Sequence, residues 1–412
     1  MKAEYPVVIV GAGPAGAIAS LFLSNEKIPH LIIDKGVFPR DKICGDAVSG
    51  KMLEIIAKIK PDEVREFAKN NEATLLTYGI QFVAPNGKAV DIAFPKPKGD
   101  LPVGFLSTRL DFDNFLFNLL PSEYGDIKQD TELKDIRYVD GGVELTLIQG
   151  SNEFSIKTPL VVAADGSRSM VKKKLMGEDM DEKHFCGGIR AYYKGITGIH
   201  PENYLEMHFF KDILPGYFWI FPLPGGNANV GMGMLSADIS KNKVNLRKEL
   251  LNIIENQPSI KGRFENAKLD GKILGWGLPL GSKKRNVSAN HVILTGDAGS
   301  FIDPFTGEGI GNAGVSGMVA SRIAKKAIEK NDYSAAFLKE YDSIMYQKLW
   351  NELKLSHRLQ RLTTYPWLFN FVVNRIHASK QLQQIFTGMF NDLELRAKMK
   401  NPIFYLRLLF NK

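Results

Sequence analysis

Only two cysteines, Cys44 and Cys186, occur in 412 residues. That excludes a disulfide framework and fits a reducing cytoplasm. The seven histidines are scattered, and neither cysteine has a histidine or second cysteine at ligand spacing, so no zinc site is legible. No run of about 20 apolar residues free of proline and charge occurs, which leaves no candidate spanning helix. Residues 6–23 are apolar and Ala17-x-Ala19 mimics a cleavage site. A secretory signal wants a more basic front than Lys2 followed by Glu4, and fewer glycines. Internal repeats and low-complexity segments are absent as well.

What is present suits a multidomain globular chain. The length predicts two or three domains, and 44% apolar residues is ordinary for a globular protein. The formal charge is +8, and residues 331–412 carry 12 Lys/Arg against 6 Asp/Glu, hence +6 of it. A solvated helical face accounts for such a surplus. So does attraction to an anionic membrane or a phosphorylated substrate. No recognition motif points to nucleic acid.

Along the chain, Val7–Val10 reads as a buried strand, 14–25 as a helix and Leu31–Asp34 as a second strand. A polar loop covers 36–50, and helical stretches follow near 50–58 and 61–70. Residues 73–106 alternate like strands around the turn Pro85-Asn86-Gly87, and Leu110–Leu120 reads as a helix. Strands are expected over 127–164, a mostly antiparallel sheet over 185–235, and a helix near 245–255. Strands follow over 269–280 and 292–294, and the chain is mostly helical after Gly311.

Three motifs carry chemistry. The first is Gly11-x-Gly13-x-x-Gly16, between a strand and a helix that opens with Pro14 and Ala15. Its glycines permit a tight turn, close approach to a pyrophosphate and close helix–strand packing. The helix N-terminus offers free N–H groups to the phosphates. Asp34 ends the next strand, where a carboxylate accepts hydrogen bonds from an adenosine ribose, with Lys35 beside it. The second motif, Asp165-Gly166, follows the apolar run Val161–Ala164; a simple turn explains it in isolation, a loop beside a cofactor in company with the first. The third is Gly296-Asp297 after strand 292–294, then Pro304, Gly307-Glu308-Gly309 and Ile310. Asp297 is placed to bind a polyol, and the turn leads into a helix whose dipole favours negative charge on an electron-rich ring. Together they describe a cradle for one FAD. Gly309-x-Gly311-x-x-Gly314 also fits the dinucleotide pattern, but a loop precedes it instead of a strand. With no separate βαβ unit for a nicotinamide, NADPH or another reductant must dock transiently. Arg109 reads either as a contact to the flavin or its phosphates, or as a surface arginine.

The motifs in this order resemble the para-hydroxybenzoate hydroxylase-like FAD superfamily. Phe38-Pro39-Arg40-Asp41-Lys42-x-Cys44-Gly45 and Pro215-x-Tyr217-x-Trp219-x-Phe221-Pro222 narrow the resemblance to its geranylgeranyl reductase family, over roughly residues 6–320. Gly188-Ile-Arg190-Ala-Tyr192-Tyr193 resembles the strand that opens that family's substrate domain. The resemblance implies a mixed α/β fold: a Rossmann-like FAD-binding domain of discontinuous segments (1–72, 103–182 and 270–330), an antiparallel-sheet substrate domain (73–102 and 183–269) and a C-terminal helical region (331–412). It implies hydride transfer from reduced flavin to a prenyl C=C, with Arg40, Cys44 and Gly45 near the flavin and Tyr217, Trp219 and Phe221 in the substrate wall. Cys44 and Gly45 are thereby the catalytic candidates. Taken alone, Tyr217, Phe218, Trp219 and Phe221 read equally as sheet core, and Cys44 as an inert thiol. Oxygen-using hydroxylases and halogenases share the architecture, and a non-catalytic escort that binds prenyl groups is a third reading. Intact FAD motifs argue against the escort.

Residues 353–380 mix Leu, Trp and Phe with Arg358, Arg361, Arg375 and Lys380, and Pro366 breaks the helix. The tail Ile403–Phe410 is aromatic and basic. Both patterns suit helices packed over the substrate domain, and equally an interfacial element. The expected partner is a lipophilic small molecule, with peripheral contact at the inner face of the membrane through this region. Nothing in the sequence sets the oligomeric state.

Overall fold

Val8–Val10 sits at the middle of a six-stranded sheet, and its neighbours explain its composition. His30–Ile33 pairs with it on one side and Val161–Ala163 on the other, both parallel. A parallel strand covered on both faces reads as an unbroken apolar run. Val292–Leu294 continues the sheet beyond Val161–Ala163, and Gly125–Lys128 lies beyond His30–Ile33. The computed structural model describes residues 4–95, 99–379 and 382.

The register places the three motifs together. Val10 pairs with Ala163, and Ala163 with Leu294. The chain therefore leaves three adjacent strands at the same edge, into Gly11, Asp165 and Gly296. Open parallel sheets bind ligands at this carboxyl edge. Helix Pro14–Asn25 is buried along all but its last residue, between the sheet and the long helix Ile310–Lys330.

A second sheet has seven strands, in the order Lys268–Pro279, Phe185–Lys194, Asn227–Leu235, Tyr217–Leu223, Leu205–His208, Gly79–Val83 and Ala89–Ala93. Its pairs are antiparallel except Leu205–His208 with Gly79–Val83. Alternation along Tyr217–Leu223 splits two cores. Phe218 and Ile220 bury into one with Val230 and Met232, while Trp219 and Phe221 bury into another with Phe209 and Phe305. A period of two sends successive side chains to opposite faces.

The C-terminal helices are Ile310–Lys330, Ala335–Thr363 and Pro366–Ala378. The break at Pro366 is where the sequence predicts it. Phe369, Val373 and Ile376 bury into the Trp219 core, so helix Pro366–Ala378 covers one face of the seven-stranded sheet. The Ile403–Phe410 tail and Lys380 lie outside the described residues. Among the described residues, no helix is long and apolar enough to cross a membrane.

Several short elements depart from the sequence expectation. The 36–50 loop ends in strand Ala47–Ser49, paired with Gly104–Leu106. Met170–Met176 and Ser236–Asn242 are helices of about two turns. Such short pieces show no periodicity; the first depends on Ser169, whose side chain accepts from the Lys172 N–H.

Candidate functional site

Between the carboxyl edge of the parallel sheet and one face of the seven-stranded sheet lies a cavity of about 990 Å³. Gly11 forms its turn at φ +102°, and a Cβ there would stand 2.4 Å from the Ala164 carbonyl oxygen. Only glycine meets both demands. Gly13, Pro14 and Ala15 line the same end, and Gly13 caps the Pro14–Asn25 helix with no side-chain hydrogen bond, leaving first-turn N–H groups for a ligand. Gly16 stands one step behind, packed on Gly11.

Asp34, Lys35 and Arg40 border this end. The Asp34 carboxylate accepts from the N–H groups of Ala12 at 2.9 Å and Gly36 at 2.8 Å, and from Arg40 at 3.0 Å. Arg109 is buried, which corrects the surface reading. Its guanidinium holds Asp113 through two bonds of 2.6 and 2.7 Å, and Asp113 also accepts from Arg40 at 3.2 Å. Burial works against the Arg109 charge, yet Asp113 and Cys44 outweigh it and hold its pKa above the ordinary value.

In the middle, Asp297 faces Lys42 at 3.9 Å, and the Lys42 ammonium lies 4.7 Å from the centre of the Trp276 ring. Burial holds Lys42 below the ordinary lysine pKa, with Asp297 opposing. The sequence reading did not single out Lys42 as a site residue. Asp165 and Gly166 line the wall, and burial raises the Asp165 carboxyl. Gly296 lines it too, its N–H donating to Ser316 at 2.8 Å.

Gly307, Glu308, Gly309 and Ile310 lead into the long helix and line the cavity. The Glu308 side chain turns back on its own helix. It accepts from the Gly311 N–H at 2.5 Å and from Ser49 at 3.1 Å. Burial raises its pKa despite Lys51 nearby. Pro304 does not line this cavity; it borders a small adjoining hollow with Cys186, whose thiol burial pushes up to about 12 and leaves inert.

At the far end, Tyr217, Trp219 and Phe221 face the cavity together with Cys44 and Gly45. Tyr217 donates to the Thr306 carbonyl at 2.5 Å, and burial raises its pKa, so it stays protonated. Trp219 donates to Asn229 at 2.9 Å. Asn229 in turn donates to the Cys44 carbonyl at 2.7 Å and to Asp46 at 2.8 Å, and Tyr192 donates to Asp46 at 2.8 Å. A Cβ on Gly45 would sit 3.1 Å from the Phe221 ring, so the loop lies flat against the wall. This network ties the Cys44–Gly45 loop to the aromatic strand.

Burial pushes Asp46 up to about 7, against the pull of Asn229, Tyr192, Arg190 and Arg109. A raised native value favours the protonated form. The stability it brings is complete below the unfolded value near 4 and drains as pH rises through 7. Roughly 3 kcal/mol should be lost between pH 5 and pH 8 from this group. Asp46→Asn removes that slope, which thermal unfolding of both proteins at the two pH values measures. An unchanged gap in Tm would show that Asp46 does not titrate there.

The residues fit FAD. Asp165 Oδ1, Arg190 Nε and Trp276 Nε1 are buried without a hydrogen-bond partner, each on a residue that lines the cavity. Buried polar atoms without partners are rare and suit a ligand. An uncapped helix N-terminus and a glycine turn too tight for a side chain stand at one end, and an aromatic wall at the other.

Comparisons with known proteins agree. Residues 4–185 match the family described as FAD binding domain. The digeranylgeranylglycerophospholipid reductase of Methanosarcina acetivorans is 31% identical over 357 residues, 85% of this chain and 82% of that protein. Among solved structures, a geranylgeranyl bacteriochlorophyll reductase-like protein from Thermoplasma acidophilum superposes with a TM-score of 0.80 at 23% identity, covering 96% of this chain and 98% of that one. The flavin-dependent brominase Bmp2 gives 0.76 at 19%, covering 98% and 99%. At these identities the two structures speak for the fold alone, which is that of FAD-dependent oxidoreductases.

Proposed function

The chain belongs to the digeranylgeranylglycerophospholipid reductase family, and from that premise we propose that it reduces isolated C=C bonds of a geranylgeranyl-type chain carried on a lipid. The observation that carries this reading is one cavity with a dinucleotide cradle at one end and the Tyr217, Trp219 and Phe221 face at the other. FAD, once reduced, supplies the hydride for one alkene carbon, and the other carbon takes a proton. A nicotinamide nucleotide such as NADPH, or another two-electron reductant, restores the reduced state.

The chain's own residues bind, orient and keep water out. The Gly11 turn and the Pro14–Asn25 N-terminus suit the pyrophosphate, Asp34 the ribose, and Asp297 the polyol chain. The aromatic face, with Met207 and Phe305 beside it, offers apolar area to a hydrocarbon and excludes water. The Tyr217 hydroxyl, held protonated by burial, is one proton-bearing group in the cavity. Asp46 has the proton affinity suited to acid catalysis near neutral pH, but its carboxyl faces Tyr192 and Asn229 behind the wall. We place the FAD-binding domain at 1–72, 103–182 and 270–330, the substrate domain at 73–102 and 183–269, and a helical region after 331.

The test is anaerobic. Reduced protein mixed with a geranylgeranyl lipid should regain its oxidised flavin spectrum while the lipid gains two hydrogens per bond. Flavin that stays reduced with every geranylgeranyl lipid offered overturns the reading, and substrate-stimulated oxygen consumption would favour oxygen-using chemistry. Trp219→Ala should lower kcat/KM for the lipid at least about tenfold, roughly 1.4 kcal/mol, with FAD content retained. Steady-state kinetics beside a flavin spectrum measures this, and an unchanged kcat/KM would remove Trp219 from the wall.

A further inference from the structure

We propose that the corner joining helix Ala335–Thr363 to helix Pro366–Ala378 docks the protein on a bilayer bearing anionic headgroups. Tyr365, Trp367 and Phe371 are 58%, 70% and 39% exposed, three large apolar side chains within seven residues. Scattered exposed apolar residues are normal, whereas a rimmed group marks an interaction surface. Trp367, Phe371 and Arg375 recur at every fourth position, so one helix face carries them. The Arg375 guanidinium lies 5.5 Å from the centre of the Phe371 ring. The opposite face, Phe369, Val373 and Ile376, is buried in the Trp219 core.

Within the chain segment that forms this corner the charge has one sign. Residues 353–379 contain no Asp or Glu. Lys354, Arg358 and Arg361 are exposed at spacings of four and three along the first helix. Basic side chains beside a Trp/Tyr group match an anionic membrane interface, where aromatic rings sit at headgroup depth.

The inner side of the same helix decides the occupant. Leu355 and Leu359 line the cavity while Arg358 and Arg361 point to solvent. A hydrocarbon leaving the bilayer therefore crosses about one helix diameter, roughly 10 Å, to reach the cavity. Choosing a bilayer over a protein rests on the lipid substrate proposed above.

The test uses full-length, FAD-loaded protein and large unilamellar vesicles of 70% phosphatidylcholine and 30% phosphatidylglycerol. The protein should co-sediment with these vesicles, and at least tenfold less with pure phosphatidylcholine or in high salt. Trp367 fluorescence should shift to the blue on binding. Trp367→Ala/Phe371→Ala and, separately, Arg358→Gln/Arg361→Gln should each weaken binding about tenfold or more. Both variants should keep wild-type turnover of a detergent-dispersed short prenyl substrate and lose it on vesicle-embedded lipid. Undiminished vesicle binding in both variants overturns the proposal. So does a change in their oligomeric state with vesicle binding intact, which would assign the patch to a second copy. Vesicle binding lost in both variants supports docking even if no prenyl lipid is turned over, so the two readings fail separately.

Discussion

Asp113→Ala should cost about 3–5 kcal/mol of stability and strip FAD from the purified protein. Asp113 is buried on helix Arg109–Asn118 and bonds two guanidinium groups, Arg109 through both carboxylate oxygens and Arg40 through one. Arg40 passes the connection to Asp34 at the nucleotide end. A guanidinium cannot shed its proton in the working pH range, so truncation leaves Arg109 charged and buried without its main partner. Removing one member of a buried pair costs far more than replacing both. Asp113→Leu combined with Arg109→Leu should therefore recover most of the stability. It should not recover FAD affinity, because Arg109 lines the cavity. Thermal unfolding and the flavin absorbance of each variant separate the two effects. A single variant that loses less than about 1 kcal/mol would make the pair solvent-screened in practice.

The cavity was partly readable before the fold was known, and the reasons differ by residue. Gly11, Asp165 and Gly296 each follow a short apolar run, and parallel register brings the three runs to one edge. A motif beside its own strand is a local signal. Tyr217, Trp219 and Phe221 were readable as one face because strand alternation puts them there, although alternation cannot say whether that face meets a cavity or a core. Asp113 stands four residues after Arg109 on a helix, a spacing that allows the pair, but nothing in the sequence marks that face as buried, and Asp113 is not among the candidates read from it.

Asp46 and Asn229 were not legible. Their bond spans 183 positions, and no periodic pattern carries such a pairing. In the sequence Lys42 is only one residue of a motif; its ion-pair partner Asp297 is brought to it by topology from the far end of the chain. Glu308 shows the converse. Its place in the turn was readable, but its side chain bonds Ser49 and Gly311 because a carboxylate beside a helix N-terminus is drawn to the free N–H groups. The second glycine pattern also resolves physically. A Cβ on Gly314 would stand 2.5 Å from the Met52 sulfur, so that glycine serves helix packing.

Gly16→Ala should be among the most damaging single methyl additions at the described glycines. A Cβ there would stand 1.8 Å from the Gly11 carbonyl oxygen and 3.2 Å from the Ala164 side chain. The first of these is backbone, fixed by the turn that Gly11 makes between the central strand and the helix. Neither partner can rotate away, so helix Pro14–Asn25 must move off the sheet. The helix is also held from behind, where a Cβ on Gly317 would stand 2.2 Å from the Ala15 carbonyl oxygen. Alanine is favoured over glycine in a helix by about 1 kcal/mol, and the backbone clash should outweigh that gain, at about 3 kcal/mol or more. The displaced N-terminus carries the N–H groups offered to the pyrophosphate, so FAD content should fall with stability. Gly314→Ala is the matched control. Its obstacles are side-chain atoms only, the Met52 sulfur at 2.5 Å and the Ile55 Cδ1 at 3.2 Å; a methionine adapts readily, so the helix gain and the packing cost should nearly cancel, within about 1 kcal/mol. Comparing Tm and bound flavin for the two alanines tests the argument. Equal losses would mean that generic helix packing governs both sites. A loss confined to Gly16 would tie cofactor retention to the contact between strand, turn and helix.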